Sequence, residues 1–173
     1  YEGGWENSVL NGDKFSETFL SEIIGAKAIK GRHISMESIY EYGSKVGFWR
    51  LDRLFKEKKI PVTIFGVGLA LDQNPEVCEA IKKGDYEVAA HGYRWIDYQN
   101  IKKSVEKKHM HQAIKTIKNI FGSRPLGWYT GRCSPNTRDL VFDDGGFLYD
   151  SDSYSDDLPY WEARNKKKQL IIP

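Results

Sequence analysis

Segments typical of β-strands and of α-helices alternate along most of this chain, and that alternation limits the folds it can adopt. The strand-like runs are short and mostly apolar, at residues 61–66, 87–90, 126–130, 147–149 and 169–172. Helical spacing of apolar residues separates them at 47–58, 75–83, 101–121 and 135–144. Such βα units build a parallel sheet flanked by helices. We therefore predict an α/β fold in a single domain that covers residues 1–173.

Local signals mark the ends of individual helices. Pro75 suits the first position of the helix 75–83, and Gly84 suits the position just after it. Ser16 is a candidate N-cap for one further helix over residues 16–24. About five βα units fit either a doubly wound sheet or part of a (β/α) barrel, and the pattern alone leaves both open.

The composition excludes several classes of partner. A formal net charge of +2 is too small to indicate binding to nucleic acid or to an anionic membrane, and no apolar run approaches the length of a membrane span. We expect a cytoplasmic protein, with Lys166 to Lys168 in a solvated turn. The chain opens at Tyr1 without a methionine and closes on a strand-like run, so we expect a fragment of a longer fold.

Polar clusters follow several of the predicted strands. In a βα barrel, the loops after the strands form the active-site face. Carboxylates, a histidine and an arginine at this face are the groups of a hydrolytic site, because they move protons and stabilise an oxyanion. The candidates are Glu2, Glu6, His91, Arg94, Asp97, Tyr129, Arg132, Pro135, Asp150 and Asp152.

Each candidate also has a purely structural interpretation. His91 alone would more often be a core or loop histidine, the aspartates 150 and 152 suit turn caps, and Arg132 suits an ordinary ion pair. Glu2 alone suits an exposed chain end. Their common position after consecutive strands favours a single site. We predict that Glu2, His91, Arg132 and Asp150 converge at one end of the sheet.

Residues 35–43 are predicted to form a loop or a short helix over the same face. Met36, Tyr40 and Tyr42 suit the wall of a pocket for a small, flat, polar ligand, and Glu37 adds a carboxylate. The alternative is that these aromatic residues only pack against the first helix.

The motifs resemble those of the polysaccharide deacetylase superfamily, a partial (β/α)-barrel fold, and are most similar to its allantoinase-like branch. The resemblance covers nearly the whole chain. It implies a distorted barrel that lacks the family's first strand and its last strands at the two ends. The matching segments are residues 1–7, 35–43, 91–98, 127–132, 134–138 and 149–154.

The resemblance assigns roles residue by residue. Glu2 matches the first acid of the family's opening pair, which is the proton-transfer base, and His91 matches the first histidine of the metal motif. Gly3 and Trp95 stand where the family has its other two metal ligands, and neither side chain coordinates a metal. We therefore expect no metal and no other cofactor, with zinc as the runner-up. The later motifs match at Arg132, Pro135, Asp150 and Asp152.

The resemblance then implies hydrolysis of a cyclic amide or ureide, as in allantoinases. In this interpretation Glu2 or Glu6 activates water, His91 and Asp97 orient or protonate, and Arg132 binds the polar edge of the substrate. Whether the protein forms a homo-oligomer is left open. The predicted catalytic residues are Glu2, Glu6, His91, Asp97, Arg132 and Asp150. The predicted substrate-binding residues are Glu37, Tyr42, Arg94, Trp95, Tyr129, Pro135 and Asp152.

Two rival functions remain open at this point. The first is a metal-dependent N-deacetylase of glycans, in which Glu6 or Asp97 supplies a missing ligand. The second is an inactive relative that only binds sugar or purine-derived ligands, since a barrel without its closing strands has open edges.

Overall fold

The computed structural model of the protein describes residues 1–164 and 167–173. Within these described residues, six α-helices and six β-strands account for most of the chain after residue 33. The helices are α1 (Ile34–Tyr42), α2 (Phe48–Lys58), α3 (Gly68–Asp72), α4 (Pro75–Lys83), α5 (Lys103–Phe121) and α6 (Thr137–Asp144). The strands are β1 (Thr63–Gly66), β2 (Glu87–Ala90), β3 (Gly127–Trp128), β4 (Tyr149–Asp150), β5 (Tyr160–Arg164) and β6 (Lys167–Ile171).

The six strands form one sheet in the order β1-β2-β3-β4-β6-β5. Neighbouring strands are parallel from β1 to β6, and only β5 is antiparallel, as the outer strand of a hairpin with β6. Among the described strands, β1 and β5 form the two edges, so the barrel is not closed. The predicted α/β class, a partial barrel of parallel strands and helices, is confirmed.

Helix α4 and strand β2 have the predicted bounds because their end signals are local. The Asn74 side chain accepts a hydrogen bond from the Val77 N–H, Pro75 occupies the first turn, and Gly84 follows the last residue. The chain then enters β2, whose last two residues are fully buried. Most other predicted helices and strands are present, and none of their ends is shifted by more than two residues.

One face of the sheet packs against α4, α5 and α6. Ala90, Trp128 and Asp150 stand side by side in register on β2, β3 and β4, so their side chains point to the same face. Ala90 and Trp128 belong to the core that includes Ile81 of α4 and Ile117 of α5. Fully burying an aliphatic side chain such as that of Ile81 or Ile117 stabilises the folded state by roughly 2 kcal/mol. The residues that directly follow β2, β3 and β4 therefore point away from this helix layer.

The predicted helix over residues 16–24 is wrong. Ser16 instead forms an isolated antiparallel bridge with Ile29, through hydrogen bonds of 2.8 and 3.0 Å in the two directions. The segment between them is made of turns, and its apolar residues are largely exposed. Glu17 forms an ion pair with Arg132, so a contact across the fold outweighs the local preference for a helix.

Residues 35–43, expected to be a loop or a short helix, form a helix up to Tyr42 as part of α1. Two elements, α3 and β5, have no counterpart in the prediction. Of the predicted lysine turn, Lys166 lies outside the described residues, and Lys167 and Lys168 are exposed at the start of β6. No helix in the described ranges combines the length and the apolar character needed to span a membrane.

Candidate active site

The candidate site lies at the carboxyl ends of β1, β2 and β3. Tyr1 runs alongside β1, because its backbone nitrogen donates to the Phe65 carbonyl and its own carbonyl accepts from the Val67 N–H. This pairing places Glu2 next to the end of β1. His91 follows directly after β2, so the two predicted residues meet although they are far apart in sequence.

Glu2 and His91 form the central pair of the site. The Oε1 atom of Glu2 lies 3.6 Å from Nε2 of His91. The other ring nitrogen, Nδ1, lies 2.6 Å from the backbone carbonyl oxygen of Tyr129. A carbonyl oxygen only accepts hydrogen bonds, so Nδ1 carries a proton, and in neutral His91 the lone pair is on Nε2. The acid–base atom of His91 therefore faces Glu2.

Aromatic side chains surround His91 on the face opposite the helix layer. The Tyr129 ring stacks on the imidazole, with centroids 5.2 Å apart and planes 9° apart. Phe65 packs edge-on against Tyr129, and the Trp95 ring lies 6.2 Å from His91. These rings give the buried imidazole a partly apolar environment, which strengthens its electrostatic interactions with a ligand, while the Glu2 side chain remains 31% exposed.

Arg132 is bound by protein groups on several sides. Its terminal nitrogens donate to both carboxylate oxygens of Glu17 at 2.9 Å and to the Trp95 carbonyl at 3.0 Å. Its guanidinium also lies over the rings of Trp95 and Phe19, at 5.0 and 5.3 Å from their centroids. These contacts hold Trp95 in position beside His91. They also occupy both terminal nitrogens of Arg132 with protein acceptors.

Glu6 is a buried acid at the same site. Its side chain is 3% exposed, and Oε2 has no hydrogen-bond partner within the described residues. Burial raises the pKa of Glu6 to about 7, and the negative charges of Glu17 and Glu2 add to the effect. A carboxyl group with this pKa is partly protonated near neutral pH, so it is suited to giving a proton as well as to taking one.

Tyr40 reaches the site from α1. Its side chain borders a cavity of about 570 Å³ shared with Glu2 and a second one of about 380 Å³ shared with Glu6. Burial and the negative charges of Glu6, Glu2 and Glu17 raise the pKa of Tyr40, so its hydroxyl stays protonated. Gly4, whose Cα lies beside the Tyr40 side chain, has φ +82°, a conformation that favours glycine.

Asp150 shares the carboxyl end of the sheet with His91 but faces the helix layer. One carboxylate oxygen lies 3.5 Å from Nε of Arg138 on α6, and the other accepts the Asp152 N–H at 2.9 Å. Burial raises the pKa of Asp150 to about 6. Its contacts indicate a role in holding β4 against α6.

Asp152 organises the loop that carries Arg132. Its buried carboxylate accepts hydrogen bonds from the backbone N–H groups of Thr130 and Gly131 at 2.8 to 3.0 Å. Gly131 has φ +68°, a conformation that favours glycine. Asp152 therefore supports the site through the backbone.

Two other predicted residues are engaged in ion pairs at the rim. Arg94 donates to both carboxylate oxygens of Asp13 and to the backbone carbonyl of Glu6. This pair ties the loop after β2 to the N-terminal segment. Glu37 pairs with Arg32 at 2.6 Å beside the cavity that Glu6 and Tyr40 border.

Three predicted residues lie at the surface. Asp97 is exposed and accepts a hydrogen bond from the Gln99 N–H, as in a turn cap. Tyr42 is 53% exposed and accepts a hydrogen bond from Arg50; it lies two residues from Tyr40, on a different face of α1. Pro135 is exposed. The predicted residues that the structure brings together are Glu2, Glu6, His91, Trp95, Tyr129 and Arg132.

Sequence reasoning missed three residues of this group. Glu17 and Phe19 fall in the segment that was assigned to a helix, and no local signal marks them as partners of Arg132. Phe65 lies within the predicted first strand, next to its last residue. Side chains alternate along a strand, so the sequence placed Phe65 on the face opposite to Ile64 and Gly66, but its contact with Tyr129 is seen only in the structure.

The donor set does not fit a catalytic zinc ion, which needs three protein ligands and an open position. His91 offers Nε2 and Glu2 a carboxylate, but Gly3 has no donor and the Trp95 indole does not coordinate a metal. Within residues 1–164 and 167–173, no three histidine, cysteine, aspartate or glutamate side chains are grouped to hold a metal ion. Gly3 has φ +59°, and a Cβ there would lie only 2.7 Å from the Ala70 Cβ.

We expect Gly3→Ala to lower the free energy of unfolding by about 2–4 kcal/mol, combining backbone strain with overpacking against Ala70. Gly12→Ala is the matched control, since Gly12 also has positive φ (+82°) but nothing within 4 Å of its added Cβ. It should cost only the strain, about 1 kcal/mol. Urea unfolding of the full-length protein measures both losses. Equal losses would contradict close packing at Gly3.

Comparison with known proteins gives concordant matches. The family model described as polysaccharide deacetylase matches residues 31–145. A Schizosaccharomyces pombe protein assigned to the polysaccharide deacetylases is 42% identical over 100% of this chain and 60% of its own length. The crystal structure of a probable polysaccharide deacetylase from Pseudomonas aeruginosa PAO1 is 53% identical, with a TM-score of 0.94 over 100% of this chain and 59% of the other.

The crystal structure of PuuE allantoinase matches equally well. It is also 53% identical, with a TM-score of 0.95, and the match covers 100% of this chain and 58% of that chain. The chain thus spans about three-fifths of the length of these three relatives.

Proposed function

The chain belongs to the polysaccharide deacetylase family, whose members hydrolyse carbon–nitrogen bonds, and we propose that it carries the centre of an allantoinase-like hydrolase. The proposed substrate is a small cyclic amide or ureide, and the proposed reaction opens its ring with water. The observation that carries the proposal is the Glu2–His91 pair, 3.6 Å apart. Gly3 and Trp95, which by the family resemblance stand at positions of metal ligands, supply no ligand beside it. Proton transfer by side chains then has to replace metal activation of water.

The proposed reaction begins with water attacking the ring carbonyl carbon. Glu2, with His91 Nε2 beside it, takes a proton from this water as the C–O bond forms. The carbon–nitrogen bond of the tetrahedral intermediate then breaks, and the nitrogen leaves with a proton from Glu6, whose pKa is raised to about 7. The proton taken from water replaces the one that Glu6 gives. The products are a carboxylic acid and the freed N–H group of the opened ring.

The walls of the site support a small, flat substrate. Phe65, Tyr129 and Trp95 offer ring faces around His91, and Arg132 and Phe19 hold the Trp95 ring. Rings of this kind stack on planar heterocycles, and a few polar atoms then fix the orientation. The similarity to PuuE allantoinase supports this substrate class, while the equally similar Pseudomonas aeruginosa protein supports the deacetylase function as much.

We expect the purified full-length protein to hydrolyse allantoin and to keep its activity after dialysis against a strong chelator. The physical reason is the ligand count: one histidine and one adjacent carboxylate hold Zn²⁺ too weakly to resist a chelator. Allantoate formation before and after dialysis is the measurement, with a sample resupplied with Zn²⁺ as the control. Loss of activity that returns with Zn²⁺ would contradict the metal-free reaction.

A metal-dependent N-deacetylase of glycans is the second candidate. The observation in its favour is the hydrogen bond from His91 Nδ1 to a backbone carbonyl, which is how metal-binding histidines are commonly held while Nε2 binds the ion. Release of acetate from chitin oligosaccharides, measured in the same samples, tests it. Zinc-dependent acetate release without allantoin hydrolysis would favour this candidate.

A further inference from the structure

Polar atoms without protein partners are concentrated at the site. Within the described residues, six buried side-chain nitrogen or oxygen atoms have no hydrogen-bond partner, and four of them belong to residues around Glu2 and His91. Leaving a buried polar group unpaired is unfavourable, so such atoms in one place mark groups that a ligand satisfies. The four atoms are Glu6 Oε2, Tyr40 Oη, Arg94 Nε and Trp95 Nε1.

Two of these atoms are neutral donors, and they belong to residues that lie beside the proposed proton-transfer groups. Tyr40 borders the cavity shared with Glu2, and the Trp95 ring lies 6.2 Å from the His91 ring. The backbone N–H of Trp95 donates to the Trp5 carbonyl, which brings Trp95 next to Glu6. A hydroxyl kept protonated by neighbouring carboxylates and an indole N–H both donate without carrying charge.

The terminal nitrogens of the two arginines near the site already donate to protein acceptors. Both terminal nitrogens of Arg132 donate to Glu17 and one also donates to the Trp95 carbonyl, while those of Arg94 donate to Asp13 and the Glu6 carbonyl. Hydrolysis of an amide develops negative charge on the carbonyl oxygen, and without a metal this charge needs hydrogen-bond donors. Within the described residues, the buried donors without a protein partner at the site are Arg94 Nε and those of Tyr40 and Trp95, and only the last two are neutral.

We propose that the Tyr40 hydroxyl and the Trp95 indole N–H form the oxyanion hole of this enzyme. When water adds to the ring carbonyl, its π electrons move onto the oxygen, and both donors stabilise the resulting oxyanion until the carbon–nitrogen bond breaks. Trp95 stands where the family resemblance places a metal ligand. It thus supplies part of the oxyanion stabilisation that a metal provides in metal-dependent members of the family. This inference rests on the proposed allantoinase-like function and assigns its electrophilic groups.

The test is Tyr40→Phe in the full-length protein, with Tyr42→Phe as the matched control on another face of α1. We expect Tyr40→Phe to lower kcat for allantoin by roughly 10²-fold with little change in KM, because the oxyanion exists only in the transition state and intermediate. Its Tm should be equal or higher, since the variant removes a buried hydroxyl without a partner. Tyr42→Phe should leave kcat, KM and Tm unchanged.

Trp95→Phe provides an independent measurement. It keeps an aromatic ring under Arg132 but removes the indole N–H, so it should also lower kcat more than it raises KM. A wild-type enzyme that hydrolyses allantoin while Tyr40→Phe retains its kcat would overturn this inference alone. A folded wild-type protein that does not hydrolyse allantoin would overturn the inference together with the proposed function.

Discussion

Replacing His91 with alanine in the full-length protein should lower kcat for the proposed ring opening by roughly 10²-fold or more. The hydrogen bond from Nδ1 to the Tyr129 carbonyl fixes the ring and leaves Nε2 facing Glu2, 3.6 Å away. Alanine removes this proton-transfer atom but leaves the aromatic walls in place. We therefore expect the loss in kcat and only a small change in KM.

His111→Ala is the control for this prediction, because His111 is exposed on α5, away from the sheet end. Its steady-state constants for allantoin should equal those of the wild type. A His91→Ala enzyme as fast as the His111→Ala enzyme would contradict a role of the imidazole in proton transfer. Glu2→Gln should lower kcat in the same way, since the amide has no basic oxygen to take the proton from water.

The parts of the fold that could be predicted are those whose signals are local. Asn74, Pro75 and Gly84 define α4 within one stretch of sequence, and the run 87–90 is a short apolar strand with turn residues before it. The segment 16–24 carries a plausible cap and apolar residues as well, yet Glu17 is held by Arg132, 115 residues away. Sequence spacing contains no information about such a contact.

The candidate site, like the fold, was predictable only where its signals are local. The positions of His91 and Glu2 after strands follow from the βα pattern and the family resemblance, and the structure places these two side chains together. Asp150 also ends a strand, but its register with Trp128 turns its side chain toward α6. Because side chains alternate along a strand, a shift of one residue in the strand end decides which face a carboxylate occupies.

The unpaired donors of the site could not be predicted either. Tyr40 and Tyr42 look equivalent in sequence, and only the orientation of α1 against the Gly3–Gly4 turn places Tyr40 at the site. Whether a buried hydroxyl has a partner depends on the side chains from every neighbouring element. The groups that the proposed reaction uses are therefore those whose hydrogen-bond partner is a ligand, and local sequence patterns do not identify them.

Glu6→Gln should make the full-length protein more stable at pH 8 and slow its reaction. Burial raises the pKa of Glu6 from 4.5 to about 7, so the folded state binds more protons than the unfolded state between these pH values. Stability contributed by the protonated carboxyl is therefore complete below about pH 4.5 and is lost as the pH rises to about 7. Glutamine stays neutral, so at pH 8 the variant should gain about 3 kcal/mol over the wild type.

Urea unfolding at pH 4.5 and pH 8 measures this difference, with Glu22→Gln as the control, because it makes the same chemical change at an exposed position. The Glu6→Gln gain should be near zero at the lower pH and largest at the higher pH, while Glu22→Gln should show little gain at either. In the Glu6→Gln variant kcat should also fall by roughly 10²-fold, because the glutamine amide does not give a proton to the leaving nitrogen. A gain independent of pH would contradict a buried carboxyl that ionises near pH 7, whereas a pH-dependent gain with unchanged kcat would remove Glu6 from the reaction. Stabilisation combined with lost activity is expected when a fold keeps a buried acid for its chemistry rather than for its own stability.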